Sequence, residues 1–150
     1  MFAGEFYFID KSYAEKYSNG EIMINPKRPY MFAFVQNGLF WFIPITSKVE
    51  KFETIRNHKI IKYKKCDTID FSYVLGHKKA ILIQNMVPIR YEYIKEQYTD
   101  DQDNPIRLPL KDERRIINNA KKILALHRKN PVYIYGNVLE IEKDFNTLPI

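Results

Sequence analysis

Asn37-Gly38 stands between two apolar runs, residues 28–36 and 39–45. Both central positions of a two-residue type I′ turn need positive φ, which Asn and Gly adopt at low cost, and this turn's twist matches that of paired strands. The dipeptide therefore predicts an antiparallel hairpin. Pairing within it decides what lies beside what. Arg28 and Tyr30 open the first strand, at the end remote from the turn, so they come to lie beside Thr46 and Ser47, which follow the second strand.

The other segments can be read around this hairpin. Residues 2–9 crowd aromatic and β-branched side chains and read as a strand. Asp10 is placed to cap a short helix, Lys11–Tyr17, which Asn19-Gly20 should stop, with a loop up to Lys27. Residues 48–65 carry seven Lys/Arg against two Glu, interrupted by Ile60, Ile61 and Tyr63, and part of this stretch is expected as strand. Residues 68–75 and 79–84 read as a second pair turning at Gly76-His77. Residues 86–93 either extend the sheet or open a short helix near Tyr91. Residues 100–109, acidic and then Pro-containing, read as a surface loop.

Leu110–Lys129 is the long helix. Ile116, Ile117, Ala120, Ile123, Leu124 and His127 fall on one face, and Arg114, Asn118, Lys121 and Arg128 on another. Asn130-Pro131 stops it, and residues 131–150 are ambiguous. The expected fold is α+β: one domain over residues 1–150, a twisted antiparallel sheet or partly open barrel with packed helices.

The net charge of +6 and pI near 9.3 favour polyanions. Eleven Tyr and ten Phe, interleaved with Lys and Arg, suit unpaired bases that stack on rings while phosphates meet cations, though a Tyr-rich core would give the same counts. The lone cysteine, Cys66, excludes an intrachain disulfide and reads as a buried structural thiol. Neither a signal peptide nor an 18-residue apolar run is seen, so a cytoplasmic protein without membrane contact is expected.

No Gly-rich phosphate loop, zinc spacing or nucleophile elbow occurs, and no two histidines stand at i, i+4. Asp100, Asp101 and Asp103 fit a solvated turn better than a metal site. RNA offers chemistry that needs no metal or cofactor: the 2′-hydroxyl attacks its own phosphate when one proton is removed, another supplied and the phosphorane charge stabilised. Thr46 and Ser47 can hold phosphate oxygens or relay a proton, and Lys48 can neutralise charge. A plain polar turn would also produce Thr-Ser-Lys. His58 can serve as acid or base, since imidazole titrates near neutrality, or can be an exposed loop residue. Gln84 and Asn85 can read base edges or bind backbone. His77 and His127 read as structural.

On these residues the chain resembles the ToxN/AbiQ family, and within it the CptN branch. Phe6-Tyr7-Phe8-Ile9-Asp10 followed by Tyr13 is similar to the family's start, and Arg28-Pro29-Tyr30 to the opening of its central hairpin. Pro44-Ile45-Thr46-Ser47-Lys48 resembles its Pro-Leu-Thr/Ser-Ser-Pro-Lys signature. Residues 82–89 resemble a later strand ending in Met-Ile-Pro. The basic helix Leu110–Lys129 also fits.

The resemblance implies a sheet like that of MazF/Kid-type toxins. It also implies metal-independent cleavage of A-rich RNA to 2′,3′-cyclic phosphate ends, within a type III toxin–antitoxin system. The implied partner is a repetitive RNA antitoxin whose pseudoknots the toxin processes, protein and RNA alternating in a closed ring. Thr46 and Ser47 match the hydroxyl pair and Lys48 the signature lysine. The proline before that lysine is missing, so Lys51 can take the role instead. Arg28 stands where a basic residue meets the substrate backbone, and Tyr30 where a base-stacking or positioning group would be. Arg114, Lys121 and Arg128 either line an RNA groove or form a solvated face. A non-catalytic RNA-binding module is the main rival reading, and a protein-interaction domain with incidental charge is another.

Overall fold

The computed structural model describes residues 1–17 and 24–147, so the expected stop at Asn19-Gly20 lies outside the described residues. Among the described residues, seven strands form one antiparallel sheet: β1 (Phe6–Ile9), β2 (Pro29–Gln36), β3 (Leu39–Thr46), β4 (Asp70–Val74), β5 (His77–Ile81), β6 (Val87–Ile89) and β7 (Ile94–Gln97). The order is β4-β5-β3-β2-β1-β7, with β6 paired to β3. The sheet is open, with β4 and β7 at its edges. Four α-helices are described: α1 (Lys11–Tyr17), α2 (Val49–Tyr63), α3 (Leu110–Lys129) and α4 (Val138–Thr147). The protein is α+β.

The central hairpin forms at Asn37-Gly38, with φ of 54° and 74°. Its register carries one irregularity. Gln36 faces Leu39 and Phe34 faces Trp41, but beyond a bulge at Ala33 Phe32 faces Phe42 and Tyr30 faces Pro44. The strands carry Met31, Trp41, Phe42 and Ile43, all buried, into the main core. Each such side chain contributes about 1.5–3 kcal/mol by leaving water.

The other edge of β3 is shared. Near its start it pairs with β6 (Phe40↔Ile89, Phe42↔Val87), and near its end with β5 (Ile45↔Ile81, Thr46↔Ala80). A 3-10 turn at Ile83–Asn85 crosses between the two partners. The Leu82 N–H donates to the Pro44 carbonyl (2.9 Å) at the changeover. Proline is tolerated here because the N–H it lacks would point into the gap between partners.

α3 packs on the sheet through Ile116, Ala120, Ile123 and Leu124. Asp112 and Glu113 in its first turn and His127, Arg128 and Lys129 in its last complement the helix dipole. α4, in the segment the sequence left ambiguous, buries Val138, Ile141 and Phe145. Phe145 stacks with Tyr13 of α1, whose hydroxyl donates to the Pro88 carbonyl (2.9 Å).

Several expectations are corrected. Residues 49–63 are helix, not strand. Glu, Lys and Arg are good helix formers. The Phe52 and Ile55 spacing lets the helix rest on Ile69, Ala80 and Leu82, while Ile61, which suggested a strand, is 79% exposed. The second hairpin turns one residue early, at Leu75-Gly76, both with positive φ, so His77 starts β5 and is exposed. The first strand begins at Phe6, because the chain turns at Gly4 (φ 90°). β7 was not foreseen: its exposed Lys95 and Glu96 give it the charged look of a protected edge. Cys66 is half-buried, its sulfur 3.5 Å from Thr68 Oγ1.

Candidate functional site

The open end of the central hairpin, the first turn of α2 and the 3-10 turn enclose a cavity of about 240 Å³. Arg28 and Tyr30 reach it from the start of β2, and Thr46 from the end of β3. Lys48 and Lys51 reach it from the start of α2, and Asn85 from the 3-10 turn. Six of the residues singled out in the sequence thus line one space. The bulge at Ala33 refines the pairing. Without it Arg28 would face Ser47; with it, the register continued past Tyr30↔Pro44 puts Arg28 opposite Thr46. Thr46 is buried and lines the cavity, while Ser47, between two lining residues, is exposed and outside the lining.

Tyr30 is only 4% exposed, so it offers its hydroxyl and not a ring face. Stacking of a base on Tyr30 is therefore excluded. Its oxygen accepts the Asn25 N–H (2.8 Å), which leaves its own proton without an acceptor among the described residues. Burial pushes its pKa up, so it stays a donor. Asn25, which also lines the cavity, was missed in the sequence; its signal was only a loop residue before Pro26.

Thr46 Oγ1 accepts the Lys48 N–H (3.2 Å) and so can offer its proton outward. Lys48 is the N-cap of α2 and makes no side-chain cap bond. The first N–H groups of a helix lack internal partners and carry partial positive charge. Lys48 and Lys51 are three residues apart, so both side chains lie on the same side of the first turn. Among the described residues, Arg28, Lys48 and Lys51 have no carboxylate partner, and no acidic side chain lines the cavity. Elsewhere Arg107, Arg115, Arg128, Lys78, Lys95 and Lys122 are paired with acids. Three cations without an acidic partner thus line one space where hydroxyl donors also converge, which is the character of a phosphate site.

The remaining residues lie elsewhere. His58 is exposed on α2, seven residues beyond Lys51, or ~10 Å along the axis, so its ring is outside the cavity. That separation removes the geometry its proposed acid–base role requires. Gln84 is buried, its side-chain carbonyl accepting from Lys59 Nζ (2.7 Å); it is a support and does not meet solvent. On α3, Arg128 donates to both oxygens of buried Glu142 (2.6 and 2.7 Å) and to Gln36 (2.8 Å). Its charge is spent within the fold. Arg114 and Lys121 are exposed, the latter 6.0 Å from the Phe34 ring, and neither lines the cavity. His127 is buried and structural, its Nδ1 accepting the Ile134 N–H (3.1 Å).

No known protein-family model and no curated protein sequence matches the chain. Among the described residues, no helix is long and apolar enough to cross a membrane.

Proposed function

We propose that the chain is a metal-independent endoribonuclease, acting in the cytoplasm as the toxin of a type III toxin–antitoxin system. The observation that carries the reading is the cavity at the hairpin's open end. Three unpaired cations, two hydroxyls and the uncapped start of a helix surround it, with no carboxylate among the described residues that line it. The ToxN/AbiQ resemblance of residues 44–48 and 28–30 supplies the rest: cellular or phage RNA as substrate, and a ring of alternating protein and pseudoknotted antitoxin RNA.

In this reading Arg28, Lys48 and Lys51 hold the phosphate oxygens. The substrate's 2′-oxygen attacks its own phosphorus, the bond to the 5′-oxygen breaks, and a 2′,3′-cyclic phosphate and a 5′-hydroxyl result. The Thr46 hydroxyl relays the proton leaving the 2′-hydroxyl, accepting it as it passes its own proton to solvent water. Tyr30, held protonated by burial and fixed by Asn25, supplies one to the departing 5′-oxygen. The cations stabilise the phosphorane where its charge develops.

Purified protein, freed of bound RNA and incubated with single-stranded RNA in EDTA, is expected to yield cyclic phosphate ends, and Lys48→Ala with Lys51→Ala to suppress them. Intact RNA after long incubation would overturn the enzyme reading. A non-catalytic RNA-binding module has one observation in its favour: among the described residues, neither imidazole nor carboxylate lines the cavity. It predicts salt-sensitive binding with no product, so the same incubation separates the two.

A further inference from the structure

Asn85 lines a second cavity, of about 380 Å³, together with Pro131, Val132, Ile134, Tyr135 and Gly136. The two cavities meet at this residue and differ in chemistry. The first is cationic. The second is walled by apolar side chains and one aromatic ring, and among the described residues no charged side chain lines it. Tyr135 is 50% exposed and Val132 68%, so apolar surface is left facing solvent beside a phosphate-type site.

The wall is held in place. Tyr135 N–H donates to the Gln84 carbonyl oxygen (2.7 Å), and the N–H groups of Tyr133 and Ile134 both point to His127 Nδ1 (3.3 and 3.1 Å). The Gln84 side chain holds Lys59, whose ammonium lies 5.6 Å from the Tyr135 ring centroid. Gly136, with φ of 90°, turns the chain out of the wall, a conformation that disfavours a side chain. In contrast, the Asn85 side-chain amide makes no hydrogen bond with a described residue, although the residue is half-buried.

We infer that this second cavity receives an unpaired nucleobase of the RNA whose phosphate lies at Arg28, Thr46 and Lys51, with Tyr135 as the stacking surface and the Asn85 amide as the reader of the base edge. The inference rests on the RNA-cleaving reading and adds how the substrate is recognised. A single strand presents bases and phosphates alternately, so a cationic pocket opening beside an aromatic one matches its chemistry. A preorganised wall holds down the entropy cost of binding. A free amide offers a donor and an acceptor together, the pairing that a purine or pyrimidine edge requires.

The test uses short 2′-fluoro RNAs, which lack the attacking hydroxyl, each with one abasic nucleotide at a successive position. Binding is read by fluorescence anisotropy at several salt concentrations. Wild-type protein is expected to lose about tenfold in affinity when one particular base is missing. Tyr135→Ala should show that loss with every RNA and no longer distinguish the abasic one, with its salt slope unchanged. Tyr135→Phe should bind as wild type, which shows that the ring and not the fold is at issue. Asn85→Ala should keep affinity within a few-fold but flatten the preference among bases at that position. If wild type binds RNA with a steep salt slope while Tyr135→Ala and Asn85→Ala match it on every RNA, the base site is wrong and the phosphate site stands. If wild type binds no RNA, both readings fall together.

Discussion

Tyr30 faces Pro44 and not Ile45, the partner an unbulged Asn37-Gly38 hairpin would give it. The one-residue slip at Ala33 carries Arg28 to Thr46 and leaves Ser47 to begin the turn into α2. It also places the Tyr30 hydroxyl in the cavity, where the Asn25 N–H fixes it.

Tyr30→Phe removes the proposed proton donor and keeps the ring. RNA cleavage is expected to fall about 10²-fold, with affinity for uncleavable RNA nearly unchanged. Stability should drop by about 1 kcal/mol, the worth of one hydrogen bond. Single-turnover cleavage and thermal melting measure the two separately. Equal cleavage by wild type and variant would remove Tyr30 from the mechanism.

Arg28, Lys48 and Lys51 hold no internal ion pair, so removing any of them should act on RNA and not on the fold. Each substitution by Ala should reduce the slope of log affinity against log salt by about one, uniformly across RNA sequences. Melting temperature should stay near wild type. A variant that melts early with an unchanged slope would show that its cation supports the fold instead.

The hairpin and the long helix were legible because each has a local cause: two residues suited to positive φ in one, a 3.6-residue apolar period in the other. α1 and α3 coincide with their expected spans for that reason. α2 was not legible, since its burial is shallow and its half-buried Phe52 and Ile55 make no long apolar stripe. The site was partly legible through the same hairpin, which predicts Arg28, Tyr30, Thr46 and Ser47 as neighbours; the first three line the cavity and Ser47 does not. What pattern could not supply was the bulge at Ala33, or the distant chain that builds the other wall. Tyr135 meets Gln84 across fifty-one residues, a contact no local signal announces.

The buried His127 ring accepts two backbone N–H groups at Nδ1, an arrangement open only to the neutral imidazole. Burial, and then the nearby Arg128 charge, hold its pKa below the ordinary 6.5. The unfolded chain therefore takes up a proton at a higher pH than the folded one. Stability from this group is complete above about pH 6.5 and is lost as pH falls from there through the folded-state value. Wild type should melt earlier at pH 5 than at pH 7. His127→Asn, which keeps an acceptor and cannot titrate, should lose this part of the difference. Calorimetry at the two pH values checks it, and identical pH profiles would sink the account.

Arg128 distinguishes a basic surface from a basic residue. On a helical wheel it lies with Arg114 and Lys121 and reads as an RNA contact, yet its guanidinium is bound by Glu142 and Gln36. Arg128→Ala leaves a buried carboxylate without its partner. The variant is expected to be destabilised by about 2–3 kcal/mol while RNA affinity, measured below its melting range, stays within twofold. Adding Glu142→Gln should recover part of that stability, because the remaining group is then neutral and its desolvation costs less. A salt slope reduced by one in Arg128→Ala, with no change in melting, would instead return this residue to the RNA-binding surface and break its pairing with α4.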